Sequence, residues 1–184
     1  MAWSAPLTAV ANAALNASDW NASVRDNLNS TAVALATTAG RWFVATGANA
    51  LAERAIVQNT VDTPETLVNT TTYTNIATNG PIVSSVITGT QALVFINARL
   101  SNATASVQSW ASYEVTGAST VVASDNWAIV AESPTLTQLW RQGATNLHTG
   151  LTAGGAGNTF RMQYRVESAS TGTFATRRLQ VMAL

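Results

Sequence analysis

Residues 158–167 read NTFRMQYRVE, and apolar and polar positions alternate along them without a break. Successive side chains leave opposite faces of a pleated strand. Phe160, Met162, Tyr164 and Val166 therefore share one face, and Arg161, Gln163, Arg165 and Glu167 the other. A period of two with this contrast predicts a strand that buries one face and shows the other to water or to a partner. Comparable stretches follow Thr63 at 66–73, 82–87, 92–100, 106–115, 119–124, 127–131, 135–141, 145–151, 159–167 and 174–183. Turn residues separate them, among them Asn79-Gly80-Pro81, Ser101-Asn102, Asp125-Asn126 and the glycines 154, 155 and 157. Short strands at regular spacing with no helix between them predict an antiparallel, jelly-roll-like β-sandwich. The stretch 92–100 is apolar on both faces in its first half, which predicts a central strand covered on both sides.

The first forty residues carry a different period. Trp20, Val24 and Leu28 recur four apart, as do Val10 and Ala14, and the intervening positions are rich in Asn and Ala. This predicts a helix capped at Ser18 or Asp19, with a narrow apolar stripe. A helix of this length is marginal alone in water, so it must dock on a sheet, on its own copies or on another protein. Gly40 ends the pattern, and the strand-forming RWFVA and then TGANALAERAI follow, with a turn at 46–49. The expected organisation is a helical anchor at 1–40, a neck at 41–62 and a β-sandwich at 63–184, a mainly β protein with a helical N-terminal anchor.

Composition narrows the function. The 184-residue chain has zero formal net charge and 10% charged residues, against roughly 25% in a typical soluble protein. No basic excess is present to displace counterions from phosphates, which argues against nucleic acid as a partner. No apolar run approaches the ~20 residues of a bilayer span, so no membrane insertion is expected. With no Cys and a single His, thiolate chemistry is excluded and no metal-ligand spacing is present. His148 has no motif that places a nucleophile beside it, and the nine carboxylates show no pairing of the kind glycoside hydrolysis requires. Calcium held by loop oxygens at Asp125 and Asn126 is weighed against a plain hairpin turn there, which is the simpler reading. The expectation is a protein with no enzymatic activity, no cofactor and no metal.

Two segments resemble a known class of proteins. LTAVANAALNASDWNASVRDNLNS followed by TTAGRWFVATGANALAERAI is similar to the opening of many small structural proteins of tailed bacteriophages. GPIVSSVITGTQALVFINARL, EVTGASTVVASDNWAI, LHTGLTAGGAGNTFRMQYRV and TGTFATRRLQVMAL resemble the β-domain attached to such openings. The resemblance covers most of the chain; Glu53-Arg54 departs from the single Arg-Leu commoner in that pattern. It implies a non-enzymatic virion protein, assembled in the host cytoplasm and displayed on the particle surface as a capsid decoration or head fibre, or as a tail-associated knob. Its partners would be other virion proteins and further copies of itself, with a trimer implied by the resemblance to phage knobs. The alternative is a glycan- or receptor-binding module acting in host adsorption.

Large aromatics anchor interfaces because they bury much area with few rotors to freeze. Trp3, Trp20 and Trp42 lie outside the predicted sandwich and, with Val24, Leu28 and Phe43, are the expected anchor and interface residues. Trp110 is out of phase with Val107, Ala111, Tyr113 and Val115, which turns it toward a subunit interface or makes it a sugar-stacking platform. Trp110 and Tyr113 are thus the candidate glycan contacts. Arg161, Arg165, Arg177 and Arg178 belong to the last two predicted strands. If those strands pair, the four arginines form a guanidinium strip, either a solvated face balanced by Glu114 and Glu167 or a subunit contact.

Overall fold

The computed structural model describes residue 14 and residues 16–29, 31–48, 50–132 and 138–184. The chain forms two compact units that divide between Ala55 and Ile56.

In the first unit, α1 (Ala17–Trp20) is capped by Asn16, whose side chain accepts from the Asp19 N–H at 2.8 Å and donates to the Asp19 carboxylate at 2.6 Å. The cap therefore lies ahead of Ser18 and Asp19, because Asp19 serves as the third helical residue that reaches back to the cap. The helix then widens over Asn21–Arg25, where the Asp26 N–H bonds back to the Asn21 carbonyl, and closes as α2 (Asp26–Leu28). One extra residue in a turn shifts everything after it by about 100°. The expected stripe is broken in that way. Asn27 is buried and donates to the Ser23 carbonyl, while Trp20 and Leu28 are 51% and 59% exposed. A short α3 (Ala32–Leu35) leads to a hairpin of β1 (Trp42–Gly47) and β2 (Ala50–Arg54). Glu53 ties this hairpin to the preceding chain by accepting from the Thr37 hydroxyl and N–H and the Thr38 N–H. Those bonds, the Thr37 hydroxyl foremost, hold its carboxyl below the usual range.

The second unit is an antiparallel β-sandwich. One sheet has the order β5 (Ile82–Val86), β10 (Asn158–Val166), β7 (Gln108–Gly117), β8 (Ile129–Glu132). The other has β3 (Ile56–Val61), β11 (Thr171–Ala183), β6 (Gln91–Asn102), β9 (Trp140–Thr149), with β4 (Glu65–Val68) also pairing β11. The neck expected at 41–62 does not exist as one element. Its first part is the hairpin of the smaller unit, and Ile56–Val61 is a strand of the sandwich, in register with residues 177–182. IVQNTV was hard to recognise because only Val57 and Val61 turn inward. The strand expected at 119–124 is a loop with one bridge, Val121 to Val115. The two strands expected on either side of Gly143 are a single β9. A Cβ on Gly143 would lie 2.9 Å from the Asn97 amide, so this glycine gives room to a cross-strand side chain and makes no turn. The expected stretch 135–141 falls partly on residues outside the described ones.

Between the sheets lies one core. Phe160, Met162, Tyr164 and Val166 are fully buried, as their alternation predicts, and most of them pack in one cluster with Val94, Ile96, Leu100, Phe174, Leu179 and Val181. Strand β6 is central, but only its Ala92, Val94, Ile96, Ala98 and Leu100 face is buried; the Leu93 and Phe95 face is half-exposed rather than covered. Gly157, at φ +79°, permits β10 to start against β5, since a Cβ there would sit 2.7 Å from the Ser85 backbone.

One cation is inside this core. The β11–β6 register slips between Ala175 and Arg178, a bulge with Thr176 at φ 46°, and Arg177 turns fully inward. It pairs with Glu65 at 3.3 Å, donates to the carbonyls of Thr63, Thr78 and Gly80, and lies over the Tyr164 ring. Removing one member of a buried pair strands the other, at a cost of about 3–5 kcal/mol. Glu65→Ala should destabilise the sandwich by that order in urea titration. Glu65→Leu combined with Arg177→Met should recover much of the loss, because no charge is then left unpaired; a double variant no better than the single would contradict this account.

Candidate functional site: a polar cleft on the outer face of one sheet

The outward positions of β10 and β7 stand opposite one another in the register Arg161↔Glu114, Gln163↔Ser112 and Arg165↔Trp110. Above them the segments around Tyr73 and around Asp125 flank an open cleft of about 670 Å³, lined by Thr71, Tyr73, Glu114, Asp125, Gln163 and Arg165 among others. That is within the ~300–1,000 Å³ usual for small-ligand sites.

Arg165 organises the cleft. Its guanidinium donates through Nε and Nη2 to the two Asp125 oxygens, at 3.1 and 2.7 Å, and lies 4.3 Å from the centre of the Trp110 ring and 5.4 Å from that of Tyr73. The Tyr73 hydroxyl donates to Asp125 at 2.7 Å. The sequence places Asp125 here because Ser124 caps a helical turn, Asp125–Trp127, by accepting from the Asn126 N–H. Hydrogen bonding from Arg165, then from Tyr73, holds the Asp125 carboxyl below its usual value against the opposing effect of burial. Burial, followed by the bond to Asp125, pushes the Tyr73 phenol up. Burial opposes the charge of Arg165, but its bonds to Asp125 and Tyr73 outweigh it and raise the guanidinium further. Arg161 donates to Glu114 through both Nε and Nη2. Gln163 donates to Asn75 at 3.1 Å. The cleft thus presents fixed charges, amides and an aromatic edge, a set suited to hydroxyl-bearing ligands.

A second hollow, of about 470 Å³, lies beside Tyr113, Trp127 and His148. His148 Nδ1 is 3.3 Å from the Tyr113 hydroxyl and packs edge-on to Trp127. Burial lowers its pKa and raises that of the phenol, so at neutral pH both are uncharged and neither has a carboxylate to orient it as a base. Among the described residues no three His, Cys, Asp or Glu side chains come together as a metal site.

Several expected site residues are placed differently by the fold. Tyr113 is fully buried and offers no surface to a glycan. Trp110 does turn outward, but Arg165 covers its ring and its Nε1 is buried without a partner. The four-arginine strip does not form, because β10 and β11 belong to different sheets. Arg161 and Arg165 are paired on one outer face, Arg177 is in the core and Arg178 is on the opposite outer face. Of the anchor set, Trp20 and Leu28 are exposed, and Val24, Trp42 and Phe43 are half-buried; Trp3 lies outside the described residues. Tyr73 carries no sequence signal, since its partners Asp125 and Arg165 are 52 or more positions away.

No family model matches the sequence, and no curated protein matches it. Among solved structures, Eiger TNF from S. frugiperda is similar over 67% of this chain and 92% of its own, at 9% identity and a TM-score of 0.34, which is too loose a likeness to bear on function.

Because the Asp125 carboxyl is depressed in the fold, its ionisation favours the folded state above the ordinary aspartate value of about 3.9, and this contribution fades as pH falls through the depressed value. Asp125→Asn should therefore lower the unfolding free energy by a constant amount over roughly pH 6–8, with the gap to wild type closing below about pH 4. Urea titrations across that range measure it, and a gap independent of pH would contradict the assignment.

Proposed function

We propose that this chain is a non-enzymatic structural protein of a tailed-phage virion, displayed on the particle surface as a capsid decoration, head fibre or tail-associated knob. The smaller N-terminal unit anchors it, and the sandwich is the displayed head, repeated in a homo-oligomer that the phage resemblance makes a trimer. The observation that carries this reading is the division into two compact units, the smaller of which leaves Trp20 and Leu28 exposed on a helix too short to stand alone. The resemblance of both segments to phage structural proteins supports it. Among the described residues no helix is long and apolar enough to cross a membrane.

The test uses full-length chain. Trp20→Ala with Leu28→Ala should reduce incorporation into particles by roughly tenfold or more, the loss expected when central apolar anchors are truncated, with the sandwich's unfolding midpoint unchanged. Undiminished incorporation would remove the anchor assignment.

A second reading, a glycan-binding module for host adsorption, is favoured by the cleft at Tyr73, Asp125 and Arg165. Repetition of weak sites over several copies would supply avidity. On a glycan array, Arg165→Ala should abolish binding, since it removes the Asp125 partner and uncovers Trp110. Binding absent from wild type itself would exclude this reading.

A further inference from the structure

The charges of the sandwich are divided unevenly between its two outer faces. Arg161, Arg165 and Arg177 are used in ion pairs within the fold. Arg99, Arg141 and Arg178 are exposed and have no carboxylate partner among the described residues. All three point outward from the β3-β11-β6-β9 sheet: Arg99 is in register with Arg141, and Asn97, the next outward position, with Arg178. Like charges directly opposed across strands are destabilising, so this row is incomplete without a counter-charge. On the same face Ile56, Met182, Leu93 and Leu147 stand in register across all four strands, and Ile56 and Leu147 are 47% and 55% exposed.

The counter-charge is on the other sheet. Glu132 is in register with Gln108, which donates to Glu132 through its side chain and to Glu167 through its N–H. Both glutamates are exposed and neither has a cationic partner among the described residues. The sandwich's remaining unpaired carboxylate, Asp62, directly follows β3 at the edge of the basic sheet and lowers the net charge of that sheet by one. Two surplus positive charges on one face thus match two negative charges on the other, in a chain of zero net charge. Arg99, Arg141, Glu132 and Glu167 lie toward the end of the sandwich where β6 passes into β7 and β10 into β11, with Arg178 further along β11.

We propose that these faces are the two halves of a head-to-tail contact between copies of this chain. The Arg99, Arg141 and Arg178 face of one sandwich docks on the Glu132 and Glu167 face of the next. Unlike patches make the contact heterologous, the kind that builds a ring when its rotation closes. A second copy fits better than an unrelated partner because number and sign match within the one sequence. The inference rests on the homo-oligomer reading above and gives that oligomer its surfaces.

Sedimentation of the full-length chain tests it. Arg141→Glu and Glu132→Arg should each weaken self-association roughly tenfold or more, and combining them should restore it, because the reversed pair is again complementary. Wild-type association should also weaken from ~0.1 M to ~1 M salt, as the screening length shortens from about 10 Å to about 3 Å. A monomeric wild type, single variants that assemble like wild type, or a double variant as weak as the singles would each overturn the contact. Particle incorporation is read separately: its absence in wild type overturns the virion reading alone, whereas unimpaired self-association of both single variants overturns the contact alone.

Discussion

The Arg177 guanidinium is the constraint on which the sandwich depends. A buried cation is tolerated only when its charge is met; the Glu65 carboxylate and the three carbonyls that accept from the two Nη groups all come from residues 63–80, and only Nε is left without a partner. That segment is held to the sheets by the short β4 and by backbone bonds of Thr74 with Tyr164 and of Thr70 with Val166, and Thr63, Glu65, Thr78 and Gly80 converge on one side chain of β11. Glu65 is fixed in turn by the Thr78 N–H, which both carboxylate oxygens accept. The Tyr164 hydroxyl donates to the same Gly80 carbonyl at 2.8 Å. The arginine thus couples a long connection, both sheets and the β11 bulge into one arrangement, and the cleft inherits its Tyr73 wall from that connection.

The outer faces follow from what the inner faces leave over. On the β5-β10-β7-β8 sheet, loops bring Tyr73 and Asp125 over Arg165, and Glu114 pairs with Arg161, while Glu132 and Glu167 at one end stay exposed. On the other sheet no loop of the described residues supplies a carboxylate to Arg99, Arg141 or Arg178, and the apolar row from Ile56 to Leu147 stays open. The ligand cleft lies on one outer face only, whereas the subunit contact draws on both, through Glu132 and Glu167 on the cleft's own sheet and Arg99, Arg141 and Arg178 on the other; the two readings share no residue.

The parts legible in the sequence are those governed by period two. The inward set Phe160, Met162, Tyr164 and Val166 follows from alternation alone, as does the sandwich class. Alternation back from Val181 and Leu179 also puts Arg177 inside, and only its charge argued for the surface; the neutralising Glu65 is 112 positions away and local pattern carries no trace of it. Strand pairing was the weak point. Neighbours in sequence such as β10 and β11 lie in different sheets, so an arginine strip that assumed their pairing could not survive. The helix that carries Trp20, Val24 and Leu28 forms, but its widened turn at Asn21–Arg25 was not legible, since such a turn changes phase without altering composition. The split of the expected neck has a similar origin: half of Ile56–Val61 is polar because it is an edge strand whose outward face is open.

Strand β11 pairs with β3, β4 and β6 and carries Arg177, yet it follows all of them in sequence. During synthesis the hairpin and helix of the smaller unit, built from local contacts, emerge before the sandwich and need no strand of it for their pairing. The sandwich does not: until β11 arrives, β3 and β6 lack the strand between them and Glu65 lacks its cation. Long-range pairing of this kind is slow and leaves edges open meanwhile. The order of strands thus lets the pairing of the small unit form while the larger one is still awaiting its middle strand.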